Sequence, residues 1–138
     1  MFDQCLYFNT TALARQLERE WTRAFAPFEL TPPQAFMLRT ILDQPGLLQR
    51  ELAASMVISR PTATRTLDGL VAKGLVERRG SEADGREQTL YPTADAVKLR
   101  AKLNEASGGV TRRLKRLLGD AVFADAVSRI RGVRASLD

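Results

Sequence analysis

Apolar residues recur along this chain at the three-to-four spacing of amphipathic helices, interrupted once by a short stretch of alternation. Leu6, Leu13, Leu17, Trp21, Ala24 and Phe25 predict a helix within residues 3–25, with Asn9, Thr10 and Thr11 interrupting its early turns. Pro27 ends this helix or lies just past it. Thr31 caps a second helix, with Pro32 at its first position and Gln34 placed for a capping box. Phe36, Met37, Leu38, Ile41 and Leu42 supply its buried face, and Pro45–Gly46 stops it. Leu48, Leu52 and Met56, four residues apart, predict a short helix over Gln49–Met56. Small Ala53 marks the place where a neighbouring helix crosses closely.

The stretch Ser59–Leu75 organises the rest. Ser59 can accept a hydrogen bond from an unpaired backbone N–H at a helix start. Pro61 lies in the first turn, where its missing N–H costs nothing, and Gly74 suits the left-handed position past a helix end. At about 100° per residue, Ala63, Leu67, Leu70 and Val71 fall on one side. Pro61, Arg65, Asp68 and Ala72 fall on the other, with Thr62 and Thr64 on the flanks. That polar face carries hydroxyls and arginine and almost no bulky apolar group, so it can enter a DNA major groove. Taken alone, the segment also fits an ordinary surface helix. Its neighbours favour more: the short helix before it and the turn between them form a helix-turn-helix.

After Gly74 the period changes. Leu75–Arg79 and Arg86–Tyr91 read as two short strands, joined by a polar tip ending in Asp84–Gly85. A hairpin directly after a helix-turn-helix is a winged helix. Thr93 caps a long helix with apolar positions Val97, Leu103, Ala106, Val110, Leu114, Leu117 and Leu118; Gly108–Gly109 should weaken or kink it. Gly119 ends it, and Asp120 can cap a last helix bearing Phe123, Ala126, Val127, Ile130, Val133 and Leu137. The expected fold is therefore mainly α with a small β-hairpin. It is one domain over residues 1–138, with a winged helix-turn-helix core over 30–93 and helices at 1–28 and 94–138. The apolar faces of those outer helices exceed what a small core can cover, which calls for a partner. A second copy is the simplest one, and a two-fold homodimer would set two recognition helices about one DNA turn apart on an inverted repeat.

Composition narrows the chemistry. The 138 residues contain one cysteine and no histidine, so no internal disulfide, no Ser-His-Asp or Cys-His constellation and no metal site is expected. No phosphate loop or convergent carboxylate pair is in view, and neither an enzyme nor a cofactor is expected. No apolar run suits a membrane span, and an acid stands near the N-terminus where a signal peptide needs lysine or arginine, so a cytoplasmic location is expected. The net charge of +5 suits nucleic acid, yet it is unevenly spread. Residues 96–138 hold ten Lys/Arg against four Asp/Glu, while residues 59–92 hold six against five. A DNA reader built here must use placed arginines rather than a dense positive field. That near balance also keeps open a winged helix that binds protein and does not read DNA.

The blocks LTPPQAFMLRTI (Leu30–Ile41), RELAASMVISRPTATRTLDGLVAKGLVERR (Arg50–Arg79) and DGREQTLYPT (Asp84–Thr93) resemble the MarR family of bacterial transcription regulators. The likeness runs over almost the whole chain and is most specific in the middle block. One departure is that the family usually has a glycine shortly after the wing, whereas Tyr91–Pro92–Thr93 leads here into Ala94–Asp95–Ala96. The resemblance implies a homodimeric DNA-binding regulator, most often a repressor. Ser59, Arg60, Pro61, Thr62, Thr64 and Arg65 match positions facing bases and phosphates, and Arg86 matches a wing-tip arginine entering the minor groove. Asp68 and Arg78 match a pair tying the recognition helix to the wing, and Asp84 would shape the tip. The residues alone agree for Arg65 and Arg86 and do not separate base from phosphate contacts.

The same resemblance implies release from DNA by a small aromatic ligand or an oxidant. Cys5, with Tyr7 and Phe8 nearby, looks somewhat like the organic-hydroperoxide-sensing branch, which carries an early reactive cysteine with tyrosine neighbours. A sensing thiol needs thiolate character and access, yet no lysine, arginine or histidine lies within nine residues of Cys5, and a buried or idle thiol is the alternative. Phe8, Trp21, Phe25 and Phe36, together with Phe28, would line a ligand pocket or simply form core.

Overall fold

In the computed structural model, which describes residues 1–80 and 87–138, the polar residues near the start of the chain do not break the first helix, α1 (Leu6–Phe25). They are absorbed by local hydrogen bonds. Asn9 Nδ2 donates to the carbonyls of Asp3 and Cys5, both at 2.9 Å, and Thr11 Oγ1 donates back to the Tyr7 carbonyl at 2.9 Å. A single 3₁₀ turn, Ala26–Phe28, follows and ends on Glu29 in the left-handed region.

The helix α2 (Pro32–Asp43) begins with the expected capping box. Thr31 Oγ1 accepts from the Gln34 N–H at 3.3 Å, and Gln34 Oε1 accepts from the Thr31 N–H at 3.1 Å. Met37, Leu38, Ile41 and Leu42 are buried as the pattern predicts. Phe36 departs from it and is 40% exposed. It lies at the margin of the buried stripe, so its ring meets Phe25 edge-on at 5.9 Å while the Arg39 guanidinium covers it at 5.1 Å.

Two residues, Leu47–Leu48, form a strand β1 that sequence periodicity did not predict. It is too short to show alternation and exists only through pairing with a distant segment. The helix α3 (Gln49–Met56) follows at once, with Glu51 Oε1 accepting from the Leu48 N–H at 3.0 Å. The helix α4 (Arg60–Ala72) then runs from the Ser59 cap to Gly74, which takes φ +72° beyond the helix end. Strands β2 (Val76–Gly80) and β3 (Gln88–Pro92) pair antiparallel, and β3 also pairs with β1, giving the order β1-β3-β2. Leu52, Ala53, Ala63, Leu67, Leu70, Val76 and Leu90 join the α2 side chains in one core. The winged helix is thus an α2–α3–α4 unit closed by a three-stranded sheet.

The helix α5 (Ala94–Leu118) is continuous through Gly108–Gly109. Contacts with α1 run alongside it. Trp21 Nε1 donates to Ser107 Oγ at 3.1 Å, and Arg113 pairs with Glu20. The Arg112 side chain lies over Gly108, where a Cβ would come within 3.2 Å of it. The helix α6 (Asp120–Leu137) is capped differently from expectation. Gly119 occupies the cap position, and Asp120 lies in the first turn, where its carboxylate complements the helix dipole without a side-chain cap bond. Among the described residues, α6 has no buried position, and no helix is long and apolar enough to cross a membrane.

Candidate nucleic-acid interface

The start of α4 is built by hydroxyl chemistry. Ser59 Oγ accepts from the Thr62 N–H at 3.3 Å and donates to Thr62 Oγ1 at 2.9 Å. The expected cap therefore forms, and both hydroxyls are drawn into it. Thr64 Oγ1 donates to the Arg60 carbonyl at 3.0 Å. With Ala63, Leu67 and Leu70 facing the core, Arg60, Pro61, Arg65 and Asp68 are left exposed and Thr62 and Thr64 half-buried, as the helical pattern requires. Arg65 makes no ion pair or side-chain hydrogen bond among the described residues, so its guanidinium is available to an anion or a base edge.

The strands are tied to the helix-turn-helix at two points, one on each of its helices. Arg78 Nη2 on β2 donates to Asp68 Oδ1 on α4, which brings together the two residues expected to pair. On the other side, Arg50 Nη1 on α3 lies 2.5 Å from Glu87 Oε1, one residue before β3. The Arg79 guanidinium stacks on Tyr91, 3.8 Å from the ring centre, and stiffens the β2–β3 pair across its face. Arg86 and Asp84, the wing-tip residues expected from sequence, lie outside the described residues.

Sequence reasoning missed Gln49, Arg50 and Gln88. They join Arg60 and Thr64 around a cleft of about 280 Å³ between α3, the start of α4 and β3. Gln49 Nε2 donates to Thr64 Oγ1 at 2.8 Å. A helix-turn-helix brings the head of its first helix beside the second, so the polar pair Gln49–Arg50 at that head was the available signal.

The regions suspected of control are less unified than the sequence suggests. Cys5 is exposed at the cap of α1, and Tyr7 is exposed near it. The four aromatics do not converge. Phe25 is fully buried in the core, and Trp21 is half-buried against Ser107. Phe8 packs on Phe2 with ring centres 5.5 Å apart, about 25 Å along α1 from Phe25 at the rise of a helix. Phe36 does line a groove, of about 390 Å³, together with Arg39, Arg100 and Asn104. Arg39 Nε donates to Asn104 Oδ1 at 2.9 Å and its Nη1 to Ser107 Oγ at 3.1 Å. Burial lowers its pKa, because the charged form loses hydration there. Arg100 Nη2 donates to the Leu42 carbonyl at the end of α2. Among the described residues, no group of side chains could hold a metal ion.

Residues 28–87 match the model of the MarR family. The transcriptional regulator HosA of Escherichia coli O157:H7 is 34% identical over 73 residues, covering 53% of this chain and 54% of that protein. The HTH-type transcriptional regulator TtmR of Methylorubrum extorquens is 29% identical over 112 residues, covering 79% of this chain and 57% of that protein. The chain thus spans about half the length of the curated relatives it matches. Among solved structures, the transcriptional repressor CouR bound to a 23-mer DNA duplex superposes with a TM-score of 0.83 at 28% identity, over 96% of this chain and 94% of that one. The Staphylococcus aureus MepR–DNA complex superposes with a TM-score of 0.85 at 18% identity, over 95% and 97% of the two chains, a likeness of fold.

Proposed function

We propose that this chain, whose residues 28–87 match the MarR family model, is a DNA-binding transcription regulator acting as a homodimer on an inverted repeat. The observation that carries this reading is the exposed face of α4. It presents Arg60, Pro61 and Arg65 outward from a capped helix start, flanked by strands held through Asp68–Arg78 and Arg50–Glu87. A helix with this face enters a major groove, while Arg86 reaches the adjoining minor groove. Ser59 and Thr62 set the helix start against the phosphates, and Thr64 and Arg65 meet base edges. The complexes of CouR and MepR with DNA support the reading by analogy of fold.

The second copy is called for by apolar surface. Leu6, Tyr7, Phe8 and Leu13 on α1, and Val122, Val127, Ile130, Val133 and Leu137 on α6, are all at least 40% exposed in the single chain. Surface of this kind at both ends of a small protein is covered by self-association. In this reading the protein represses, and a small aromatic ligand in the Phe36–Arg39 groove or oxidation at Cys5 releases it from DNA.

Selection of bound fragments from genomic DNA, followed by titration of the best fragment at several salt concentrations, tests the reading. Retention of an inverted repeat of about 15–20 base pairs with steeply salt-dependent affinity is the expected result. Failure to retain any fragment would overturn it and favour a module that binds protein. Repeating the selection with a hydroperoxide tests Cys5, and unchanged binding would remove it.

A further inference from the structure

Thr64, half-buried on the flank of α4, carries a hydroxyl held from two sides. Its only hydrogen is donated to the Arg60 carbonyl at 3.0 Å. One of its two lone pairs accepts the Gln49 amide hydrogen at 2.8 Å. A hydroxyl has one donor and two acceptor sites, so a single lone pair and the methyl group remain for anything outside. Gln49 comes from a different helix, at the head of α3, and both residues line the cleft that opens beside the recognition face. Either hydrogen bond alone would leave the hydroxyl a choice. The back-bond to Arg60 can be broken by rotation about χ1, since threonine in a helix divides between two rotamers. The Gln49 contact favours one of them.

We propose that Gln49 is a positioning residue for sequence readout: it fixes Thr64 as an acceptor-plus-methyl surface and so determines which base Thr64 prefers. In that state Thr64 suits a base edge offering an amino donor in the major groove, adenine N6 or cytosine N4, or a thymine methyl group. It disfavours guanine, whose major-groove edge offers acceptors alone. Without Gln49 the hydroxyl can turn and donate, and that bias relaxes. The inference rests on the DNA-binding reading above.

The experiment uses the full chain and a randomised double-stranded DNA library, comparing the unaltered protein with Gln49→Leu, Thr64→Val and the double variant. Gln49→Leu is expected to change base preference by about fivefold at one position in each half-site, leaving the other positions as they were. Thr64→Val, which keeps a methyl group and loses the hydroxyl, should alter the same position. In the double variant the Gln49 change should add nothing at that position, because the group it acts through is gone. An unchanged preference profile for Gln49→Leu would overturn the proposal, and so would an equal loss of affinity at all sequences, the mark of a scaffold or phosphate contact. A preference change that persists undiminished in the Thr64→Val background would overturn it too. If the unaltered protein retains no sequence at all, the DNA-binding reading itself fails, a result distinct from these.

Discussion

Arg78 on β2 donates a charge-assisted hydrogen bond to Asp68 on the outward face of α4, so one ion pair joins the helix that would read DNA to the strand that carries the wing. The Asp68 side chain is 58% exposed and that of Arg78 25%, so water and salt screen the pair and its worth to folding is small. Its geometric effect is larger, because it sets the angle between two elements that must fit adjacent grooves together. Asp68→Asn and Arg78→Gln should each lower global stability by less than about 1 kcal/mol while weakening specific DNA binding by more than that. Denaturant unfolding and DNA titration on the same variants check this. A stability loss equal to the binding loss would mean that the pair holds up the fold and not the orientation.

Arg65 differs from Asp68 in having no side-chain partner among the described residues, so its removal should leave the free protein unchanged. Arg65→Ala should cost roughly 1–3 kcal/mol of specific affinity if the guanidinium meets a base. A loss that is uniform over sequences, with a shallower salt dependence, would assign Arg65 to a phosphate instead. Unchanged affinity for the selected site would remove it from the interface.

The contrast between these arginines also marks how far sequence carried. Ala63, Leu67 and Leu70 are buried and Arg65 exposed because a helix repeats at a fixed angle, and that geometry is written into the order of residues. Thr31–Gln34 and Ser59–Thr62 are caps formed within four residues, equally local. Gln49–Thr64 and Arg50–Glu87 lie 15 and 37 residues apart and depend on how α3 is set against its neighbours. Strand β1 is likewise created by its partner. Gly108–Gly109 lie within α5, where helix propensity counts each glycine as a weakness, and contacts from α1 such as Trp21–Ser107 lie alongside that stretch, which local sequence does not encode.

One of those contacts titrates. Arg23 donates to Glu20 and, with Arg113 nearby, holds its carboxyl below the ordinary value of 4.5, against an opposing effect of burial. A carboxyl whose pKa is depressed on folding stabilises the folded chain above its unfolded pKa. That contribution is lost as the pH falls through the folded value. Glu20→Gln should therefore lower Tm at pH 7, with the gap to the unaltered protein closing as the pH drops below about 4.5. Thermal unfolding monitored by circular dichroism across that range measures it. A gap that persists undiminished at pH 3 would show that packing or hydrogen bonding by the neutral side chain, not charge, accounts for the difference.

The outer helices give a test of association separable from DNA contact. Val127 and Ile130 lie one turn apart on α6, are 42% and 45% exposed, and are remote in sequence from the reading helix. If a second copy covers them, burying one negative charge there is costly, and Ile130→Glu should shift the protein to monomer. The unaltered protein should then show a Tm that rises with protein concentration, because only the folded dimer gains from association, and the variant should lose that dependence. The variant should also lose affinity for a full inverted repeat by far more than for a single half-site, since each subunit reads one half. Sedimentation of both proteins, with titration on full and half sites, checks the chain of consequence. A monomeric unaltered protein that still favours the full repeat would exclude a preformed dimer and require pairing on the DNA itself.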